Sequence, residues 1–493
     1  MRNPDSRISQ QQQRLTRNLD NNVAFLKDAL GVDQSFDVIH RELVYGGVRF
    51  GLFFVDGLAK DDVMNIITTH LAKLQPGELT TDTVSQLLHT HIGYLEVDKV
   101  RDMDTLITSV LSGPLALVVE NCDEALVIDA RTYPVRSPEE PDIERVVRGA
   151  RDGFTETLVF NTALTRRRLR DPSLRMEYMQ VGARSKTDIA ISYLEDVADE
   201  DLVNEIRNRL QRIQIDGLPM ADKTIEEFLF RKNWNPFPLV RYTERPDVAA
   251  IHLLEGHVLI YTDTSPSVMI APTTLFHHVQ HAEEYRQKPA IGAYLRWVRF
   301  LSMLASTVLL PLWLLIAQNP SSVPRWLAFI APEEKGSIPL LIQAILAEVG
   351  IDALRMAAIH TPSALATALG LVAALMIGEV AVNVGLLTNH VILFLALSAI
   401  GTFATPSYEF GLALRIVRIS LLILAGCLHW PGFLIGCFVW FLLLLFTKSL
   451  QTPYLWPLLP FNGRALLDVI VRSPVPAKKK RPKILHPEDP TLK

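Results

Sequence analysis

The sequence predicts two cytoplasmic α/β subdomains followed by an all-α polytopic transmembrane region. Apolar residues dominate successive membrane-length blocks between Ser363 and Phe446, and a further apolar block occupies residues 300–317. From Ser337 to Thr447 the sequence holds only three Lys or Arg residues and four Asp or Glu residues. Because a hydrocarbon core of about 30 Å needs about 20 apolar residues in helical form, these blocks indicate a chain that crosses the membrane repeatedly.

Composition and charge exclude several classes of protein. The chain has 493 residues, enough for two or three domains, and its net charge of −4 argues against a nucleic-acid-binding protein. Its three cysteines, Cys122, Cys427 and Cys437, are too few and too scattered for a disulfide framework and fit a reducing compartment. The N-terminus lacks the apolar segment of a cleaved signal, so we expect the long N-terminal region to stay in the cytoplasm.

Shifts in composition divide the chain into six segments. They are a polar N-terminal tail (1–24), a first α/β subdomain (25–136), a linker dense in proline and acid (137–144), a second α/β subdomain (145–295), a transmembrane region of five or six helices (296–450) and a basic C-terminal tail (451–493).

In the first subdomain, changes of hydrophobic periodicity predict alternating strands and helices. A buried strand over 49–59 ends in the Asp56-Gly57 turn, and apolar residues at helical spacing predict a helix over 60–74. Helices over 81–91 and 101–111 and the strand-like runs GYLEVDKV, PLALVVE and EALVIDA complete the pattern. An Asp before Gly is more often a turn-capping residue than a catalytic carboxylate, so Asp56 is interpreted as structural.

The second subdomain begins with a charged stretch over 145–170, which we predict to be helical with a break near Gly153. MEYMQV and TDIAISYL predict a hairpin, and 199–213 predicts an amphipathic helix with acidic residues first and arginines last. The run Arg166-Arg167-Arg168-Leu169-Arg170 is expected to form a solvated or salt-bridged face rather than a nucleic-acid or lipid site.

Residues 235–299 carry the most distinctive sequence. A proline-punctuated arm is followed by a short helix over 247–254 and by the strands HVLIYTD and SVMIAP. The amphipathic segment TTLFHHVQHAEEYRQ then leads to the membrane edge, where Arg296, Trp297 and Arg299 are expected to form an interfacial anchor.

A motif in this region carries a family resemblance. The run Arg241-Tyr242-Thr243-Glu244-Arg245-Pro246-Asp247, followed by LLEGHV and DTSPSV, resembles the A-subunit family of bacterial spore germinant receptors. The resemblance continues through FHHVQHAEEY, IGEVAVNVGL and the PY…P…P ending at 453–460, and it covers most of residues 25–465. SPEEPD and EGHVLIYTDTSPSV are similar to a branch of the family that is encoded with the machinery that moves calcium dipicolinate.

The resemblance implies a location in the inner spore membrane, with the N-terminal subdomains on the cytoplasmic side. It also implies a ring-like homo-oligomer, such as a pentamer, that conducts ions early in germination. The expected partners are a small membrane protein, the B and C subunits of germinant receptors, the calcium dipicolinate release machinery and membrane lipid, but no nucleic acid. In this hypothesis the motif couples the soluble ring to the gate through inter-subunit or inter-domain salt bridges of Arg241, Glu244 and Arg245.

Neither an enzyme nor a bound metal is predicted. The sequence holds no nucleophile elbow, phosphate-binding loop or dinucleotide fingerprint, so we predict no catalytic residues and no cofactor. His277, His278 and His281 with Glu283 and Glu284 suggest a metal site, and the first and last histidines would share a face of one continuous helix. No third and fourth ligands occur at ordinary spacing, so packing and hydrogen bonding of a pre-membrane helix are the better account.

The candidate functional residues are the ionisable groups of the apolar blocks, because each is costly in lipid. Glu379 follows Gly378 and has Asn383 at i+4, within a segment, 363–387, that is the candidate pore lining. Two interpretations stay open: a pore-lining or gating carboxylate, or a protonated group that is hydrogen-bonded between helices.

Arginines in the following block have two possible environments as well. Arg415 and Arg418 are three residues apart and share a helix face. They either pair with Glu379 or Glu409, or they lie near the cytoplasmic interface and extend their charges into it, which is slightly favoured.

A further charged helix decides the topology. Glu348, Asp352 and Arg355 lie on one face of a predicted helix over 338–360, so their charges can pair. If that helix crosses, the chain has six crossings and its basic tail lies on the same side as the N-terminal region, as the positive-inside tendency favours. We therefore expect six crossings rather than five.

A non-conducting scaffold that clusters germination proteins and a transporter subunit are the alternatives to a channel.

Overall fold

The computed structural model describes residues 14–79, 82–92, 96–131, 144, 146–230, 234–319, 330, 338–360, 376–474, 476, 478 and 480–492. The chain folds as two compact units. The first unit comprises Met1–Asn233, Tyr242–Pro272 and Pro476–Lys493, and the second comprises Trp234–Arg241 and Thr273–Val475. The C-terminal residues thus belong to the same unit as the N-terminal subdomains.

The first subdomain is an antiparallel five-stranded sheet with helices on both faces. Its elements are α1 (Leu19–Leu30), β1 (Val38–Tyr45), β2 (Val48–Val55), α2 (Asp61–Leu71), α3 (Thr83–Gln86) with a π-helical turn (Leu87–His91), β3 (Val97–Val100), α4 (Met103–Leu111), β4 (Leu115–Val119) and β5 (Ala125–Ile128). The strand order is β1-β2-β4-β5-β3. Successive side chains of each strand point to opposite faces, so one set packs on α1 and α4 and the other on α2 and α3.

The second subdomain has the same kinds of element. They are α5 (Leu158–Arg168), β6 (Leu174–Val181), β7 (Thr187–Leu194), α6 (Glu200–Gln211), α7 (Ala221–Leu229), β8 (Arg241–Thr243), α8 (Pro246–Glu255), β9 (Val258–Thr262) and β10 (Val268–Ala271). The strand order is β6-β7-β9-β10-β8. The charged stretch before α5 differs from expectation, because its described residues up to Thr157 are not helical and the helix begins only at Leu158.

The two subdomains repeat one topology. Each has the element order αββααβαββ, and in each sheet the third strand lies at the edge beside the fifth. The same side-chain loop precedes the first helix of each repeat. Thr16 N donates to Asn22 Oδ1 at 2.9 Å and Asn22 Nδ2 donates to Thr16 O at 2.5 Å. Thr155 and Asn161 repeat both bonds at 2.7 and 2.6 Å, which indicates an internal duplication.

A buried ion pair joins the two subdomains. Arg166 of α5 donates to both carboxylate oxygens of Asp37, which precedes β1, at 3.0 and 3.1 Å, and both side chains are buried. The same guanidinium donates to the carbonyl oxygen of Leu174 at 3.0 Å. The arginine run is therefore salt-bridged, but its first member lies inside the protein rather than on a solvated face.

The second unit is helical. It contains a 3₁₀ turn (Leu275–His278), α9 (Ala282–Arg286), α10 (Pro289–Gln318), α11 (Leu340–His360), a π-helical turn (Met376–Val380), α12 (Ala381–Asn383), α13 (Asn389–Phe403), α14 (Tyr408–Phe446), a two-residue hairpin of β11 (Lys448–Ser449) and β12 (Thr452–Pro453), and α15 (Gly463–Ile470). By length and composition α10 and α14 hold apolar segments long enough to cross a bilayer.

The element α14 is a helical hairpin rather than one rod. His429 has a φ of 54° and interrupts the helical backbone just before Pro431. Trp440 Nε1 donates to Ser420 Oγ at 2.7 Å, so the second arm runs back along the first. A Cβ on Gly432 would overlap the carbonyl oxygen of Leu424, and the close turn therefore requires glycine. The two apolar blocks that the sequence separates at Pro431 are these two arms.

Contacts between helices fix their directions within the second unit. We call the end that holds the N-terminus of α10 and the C-terminus of α14 the basal end. Trp313 of α10 stacks on Phe394 of α13 at 5.3 Å between ring centroids, and Gly401 lies against Ser302, so α13 runs antiparallel to α10.

The helix α11 also runs towards the basal end. Its first turn reaches Gly426 at the opposite end through Leu341, and its last turns place Arg355 over the ring of Phe403 at 5.3 Å. Its C-terminus is therefore basal, whereas α13 starts at the opposite end, where Thr388 N donates to Gln343 Oε1 at 2.9 Å.

We predict that Asp37→Asn destabilises the first unit by about 3–5 kcal/mol, because removing one partner leaves the buried Arg166 guanidinium without its counter-charge. Asp216→Asn is the matched control, since the Arg184–Asp216 pair is at least 83% exposed at both side chains. Urea unfolding followed by circular dichroism measures both variants. An Asp37→Asn protein as stable as the control would contradict a joint of this kind.

Candidate functional site

One ion pair lies among four helices of the second unit. Arg418 of α14 donates to both carboxylate oxygens of Glu348 of α11, at 2.6 and 2.9 Å. Its remaining terminal nitrogen donates to the carbonyl oxygen of Ser306 on α10 at 2.6 Å and to Thr402 Oγ1 on α13 at 3.2 Å. Both charged side chains are buried, so the two-pronged geometry and the extra acceptors offset their loss of hydration.

A second pair extends the network. Arg415 pairs with Asp352 and lies 3.5 Å from Glu348 through Nε. Glu379 and Glu409 were the expected partners of the arginines if these were paired, but among the described residues both arginines pair with acidic residues of α11 instead. The reason is geometric: α11 runs antiparallel beside the first arm of α14, so residues spaced by one turn on each helix face one another.

The candidate pore residues lie on the outer surface of the same unit. Gly378 and Glu379 belong to the π-helical turn Met376–Val380, and Asn383 ends α12 one turn later; all three are exposed. A Cβ on Gly378 would meet nothing within 4 Å. Among the described residues Glu379 forms no ion pair. Residues 363–375 of the candidate pore segment lie outside the described part of the chain.

In the RYTERPD motif the central ion pair is internal. Arg245 donates to both carboxylate oxygens of Asp247 at 3.1 Å, and Pro246 between them starts α8. The guanidinium also donates to the carbonyl oxygens of Glu144 and Ala150 at 3.1 and 2.9 Å. At Arg245 a salt bridge was expected between domains or subunits, but this arginine forms one within the motif. The buried guanidinium also holds the backbone of Glu144 and Ala150 beside the start of α8.

Other motif residues fasten neighbouring segments. Tyr242 Oη donates to Glu226 Oε2 of α7 at 2.8 Å, and the carbonyl oxygen of Glu244 accepts a bond from Phe154 N at 2.8 Å. Arg241, which belongs to the second unit, donates to the carbonyl oxygen of His277 at 2.9 Å. Within the first unit the motif thus holds α7 and the segment around Phe154, and within the second unit Arg241 is held against the 3₁₀ turn.

The histidine-rich patch does not form one continuous helix. His277 belongs to the 3₁₀ turn, where its Nδ1 accepts a hydrogen bond from the N–H of Thr274 at 3.0 Å. His281 instead caps α9, where its Nδ1 accepts from Glu283 N at 3.2 Å. Because the 3₁₀ turn and α9 are separate elements, the expected shared helical face is absent there.

The third histidine of the patch packs as an aromatic ring. His278 stacks on Phe410 at 5.9 Å between centroids and lies 6.1 Å from Tyr454. Burial lowers the pKa of His278 to about 3, and the positive charge of Arg241 contributes. The imidazole is therefore neutral near pH 7. Phe237, between its two prolines, joins the same cluster from the proline-punctuated arm.

Sequence reasoning missed a buried cluster at the base of α10. The Glu284 carboxylate, fully buried, accepts from Arg296 Nε at 2.7 Å and also pairs with Arg299. The sequence showed Glu284 in the histidine patch and the arginines as a membrane-edge anchor. Their spacing along the chain was the available signal, but only the turn between α9 and α10 brings them together.

We predict that Glu348→Gln weakens the second unit by about 3–5 kcal/mol, since the buried Arg418 keeps its charge and loses its carboxylate partner. Glu409→Gln, at the half-exposed start of α14, is the control and should leave stability unchanged. Thermal melting in detergent measures both.

A double variant tests the mechanism of that loss. Glu348→Met combined with Arg418→Met removes both charges and should recover much of the stability lost in the single variant, because no unpaired charge remains. A double variant no more stable than the single one would contradict the assignment.

Comparison with known proteins gives consistent matches over nearly the whole chain. The family model described as Bacillus/Clostridium GerA spore germination protein matches residues 24–484. Stage V sporulation protein AF of Bacillus subtilis (strain 168) is 50% identical over 476 residues, which cover 97% of each chain. Spore germination protein GerLA of Bacillus cereus is 30% identical over 475 residues, covering 95% of this chain and 96% of the relative.

A solved structure also matches. The crystal structure of the N-terminal domain of the A subunit of the Bacillus megaterium spore germinant receptor GerK3 is 26% identical, with a TM-score of 0.42, and covers 53% of this chain and 96% of that one. The sequence relationships show a membrane protein of spore germination and not an enzyme. The family model spans residues 24–484, and a relative that matches over 97% of each chain is 50% identical. The chain therefore belongs to the GerA family of spore germination proteins.

Proposed function

We propose that this protein forms a homo-oligomeric ion channel in the inner spore membrane, which releases ions early in germination and amplifies the response. The observation that carries the proposal is the outward-facing Glu379 with Gly378 and Asn383 beside it. A carboxylate on the outer surface of a membrane segment is unfavourable in lipid and favourable beside water. A ring of copies that turns this surface inward supplies that water.

The internal charges of the protomer support the same arrangement. Glu348 and Arg418 satisfy each other with two hydrogen bonds inside the helix bundle, so they need no second copy. Glu379 has no comparable partner among the described residues. A carboxylate with a small Gly378 beside it leaves room for a hydrated cation, and Asn383 one turn on supplies a neutral polar group along the same path.

Family relationships support the biological setting. The relatives are named as sporulation and germination proteins of Bacillus species. The expected partners are a second copy of this chain, a small membrane protein, germinant-receptor B and C subunits and the calcium dipicolinate release machinery. A scaffold that clusters such proteins without conducting ions, and a transporter subunit, are the competing functions; the exposed carboxylate favours conduction over both.

We predict that Glu379→Gln and Glu379→Ala change the rate or cation selectivity of ion flux through the purified protein in liposomes. Loss of the carboxylate removes the negative charge that concentrates cations in the pore. Glu409→Gln is the control, and its flux should equal that of the native chain. The readout is fluorescence of an entrapped potassium or sodium indicator, with oligomer size measured on the same samples.

The competing functions give different results. A correctly oligomeric native protein without flux, in the presence and absence of its small membrane partner, would support the scaffold. Flux that saturates with substrate and requires a counter-gradient would support the transporter. Equal flux through the Glu379→Gln, Glu379→Ala and Glu409→Gln proteins would show that Glu379 does not line the pore.

The proposed topology has six crossings with both chain ends in the cytoplasm. Its support is that the C-terminal residues fold onto the second subdomain. Arg481 donates to the carbonyl oxygen of Leu254 at 2.7 Å, and Glu488 N donates to the carbonyl oxygen of Val197 at 3.1 Å. Leu485 between them is buried. A tail that is part of the N-terminal unit lies on the same side of the membrane as that unit.

We predict that single cysteines at Arg184 and Lys483 react with a membrane-impermeant maleimide from one side of sealed vesicles, and a cysteine at His429 from the other. All three positions are exposed, and the chain otherwise lacks cysteine through replacement of Cys122, Cys427 and Cys437 by alanine. Labelling of Lys483→Cys from the side of His429→Cys would instead give an odd number of crossings.

A further inference from the structure

A short amphipathic helix follows the last membrane helix. In α15, Val469 is the buried residue, and Leu466, Leu467 and Ile470 lie on an adjoining apolar arc. The opposite arc carries Arg464 and Asp468. This distribution gives the helix one face towards the protein, one polar face and one apolar face that the described residues leave uncovered.

The uncovered apolar surface is larger than the helix itself. Its members are large apolar side chains between 36% and 73% exposed, and they are Leu458, Leu459, Phe461, Leu467 and Val471. Single exposed apolar residues are ordinary, but five within 14 residues mark this segment as an interaction surface.

The depth of α15 is set by its attachment to α10. Arg296 Nη1 donates to the carbonyl oxygens of Asp468 and Val469 at 2.9 and 2.8 Å, which closes the C-terminal end of α15. On α10, Arg296 lies between the exposed aromatic residues Tyr294 and Trp297. Exposed Tyr and Trp mark the level of the lipid headgroups on a spanning helix, so α15 is held at that level.

A second arginine keeps the helix in this orientation. Arg472, just after α15, donates to the carbonyl oxygens of Tyr285 and Gln287 at 2.7 Å each. Arg296 and Arg472 both lie 5.6 Å from the Tyr285 ring centroid. The segment is therefore fastened at its C-terminal end to the turn between α9 and α10.

The length of α10 agrees with this placement. Its 30 residues span about 45 Å, which exceeds a hydrocarbon core of about 30 Å, so its first turns lie in the interfacial layer. The exposed apolar residues Ile291, Val298 and Leu301 continue along α10 from the level of α15. The apolar patch is thus continuous in depth with the lipid-facing surface of a membrane helix.

We propose that residues 458–471 form an in-plane membrane anchor, with the apolar face of α15 inserted among the headgroups and upper acyl chains of the bilayer. The partner is the phospholipid surface, recognised through apolar insertion with Arg464 and Asp468 facing water. Because α15 is bonded to Arg296, the anchor ties the position of the first membrane helix to the surface of the bilayer.

The test uses three positions of nearly equal exposure in the protein. Val44 in the first unit, Leu301 on α10 and Leu467 on α15 are 64%, 61% and 63% exposed. Each is replaced by cysteine in the full-length chain without Cys122, Cys427 and Cys437, spin-labelled and reconstituted in phospholipid vesicles. Collision rates with oxygen, which concentrates in lipid, and with a water-soluble nickel chelate are then measured for each label.

The expected result is an oxygen-to-nickel collision ratio at Leu467→Cys several-fold above that at Val44→Cys and approaching that at Leu301→Cys. A label at Arg464→Cys should give a ratio near that of Val44→Cys. A ratio at Leu467→Cys equal to that of Val44→Cys would overturn the proposal. Low collision rates with both reagents at Leu467→Cys would overturn it too, because they would show that protein, including a second copy, covers the helix.

Discussion

The Glu348–Arg418 ion pair is the interaction on which the membrane unit depends. Two charges out of water are costly, and here the cost is offset by a two-pronged pair with further acceptors on Ser306 and Thr402. Each acceptor lies on a different helix, so the arginine is satisfied only when α10, α11, α13 and α14 share one register. Apolar packing alone tolerates small slips of one helix against another, but this hydrogen-bonding pattern does not.

The first unit also relies on a buried ion pair, Asp37–Arg166. Its two subdomains are repeats, and the shared Asn22 and Asn161 loops align α1 with α5. Five residues after each asparagine stand Lys27 in the first repeat and Arg166 in the second. Only Arg166 is fully buried, because its guanidinium lies against Asp37 of the other subdomain. The Asp37–Arg166 pair therefore belongs to the joint between repeats rather than to the fold of either one.

Patterns local in sequence predicted the elements, and contacts distant in sequence decided the sites. Periodicity identified the buried strand β2, the hairpin β6–β7 and the apolar blocks. It could not select Glu348 as the partner of Arg418, 70 residues away, because Glu379 and Glu409 carry the same charge and lie closer to Arg418 in the sequence. In the RYTERPD motif the partner is instead nearby. Arg245 was expected to pair with a distant residue, but it forms an ion pair with Asp247, two residues later.

The distribution of polar groups in the membrane unit separates structure from function. Charges that fix the helices are buried and paired, as Arg415 and Arg418 show, and they give the protomer a defined shape without help from another molecule. Glu379 and Asn383 are exposed instead. Since neither side chain forms an ion pair among the described residues, we attribute their presence on an apolar surface to what surrounds the protomer. At the basal end, Glu284 and Arg296 hold the start of α10 against α9. A displacement of the start of α10 would move the Ser306 carbonyl oxygen, which is one of the acceptors of Arg418.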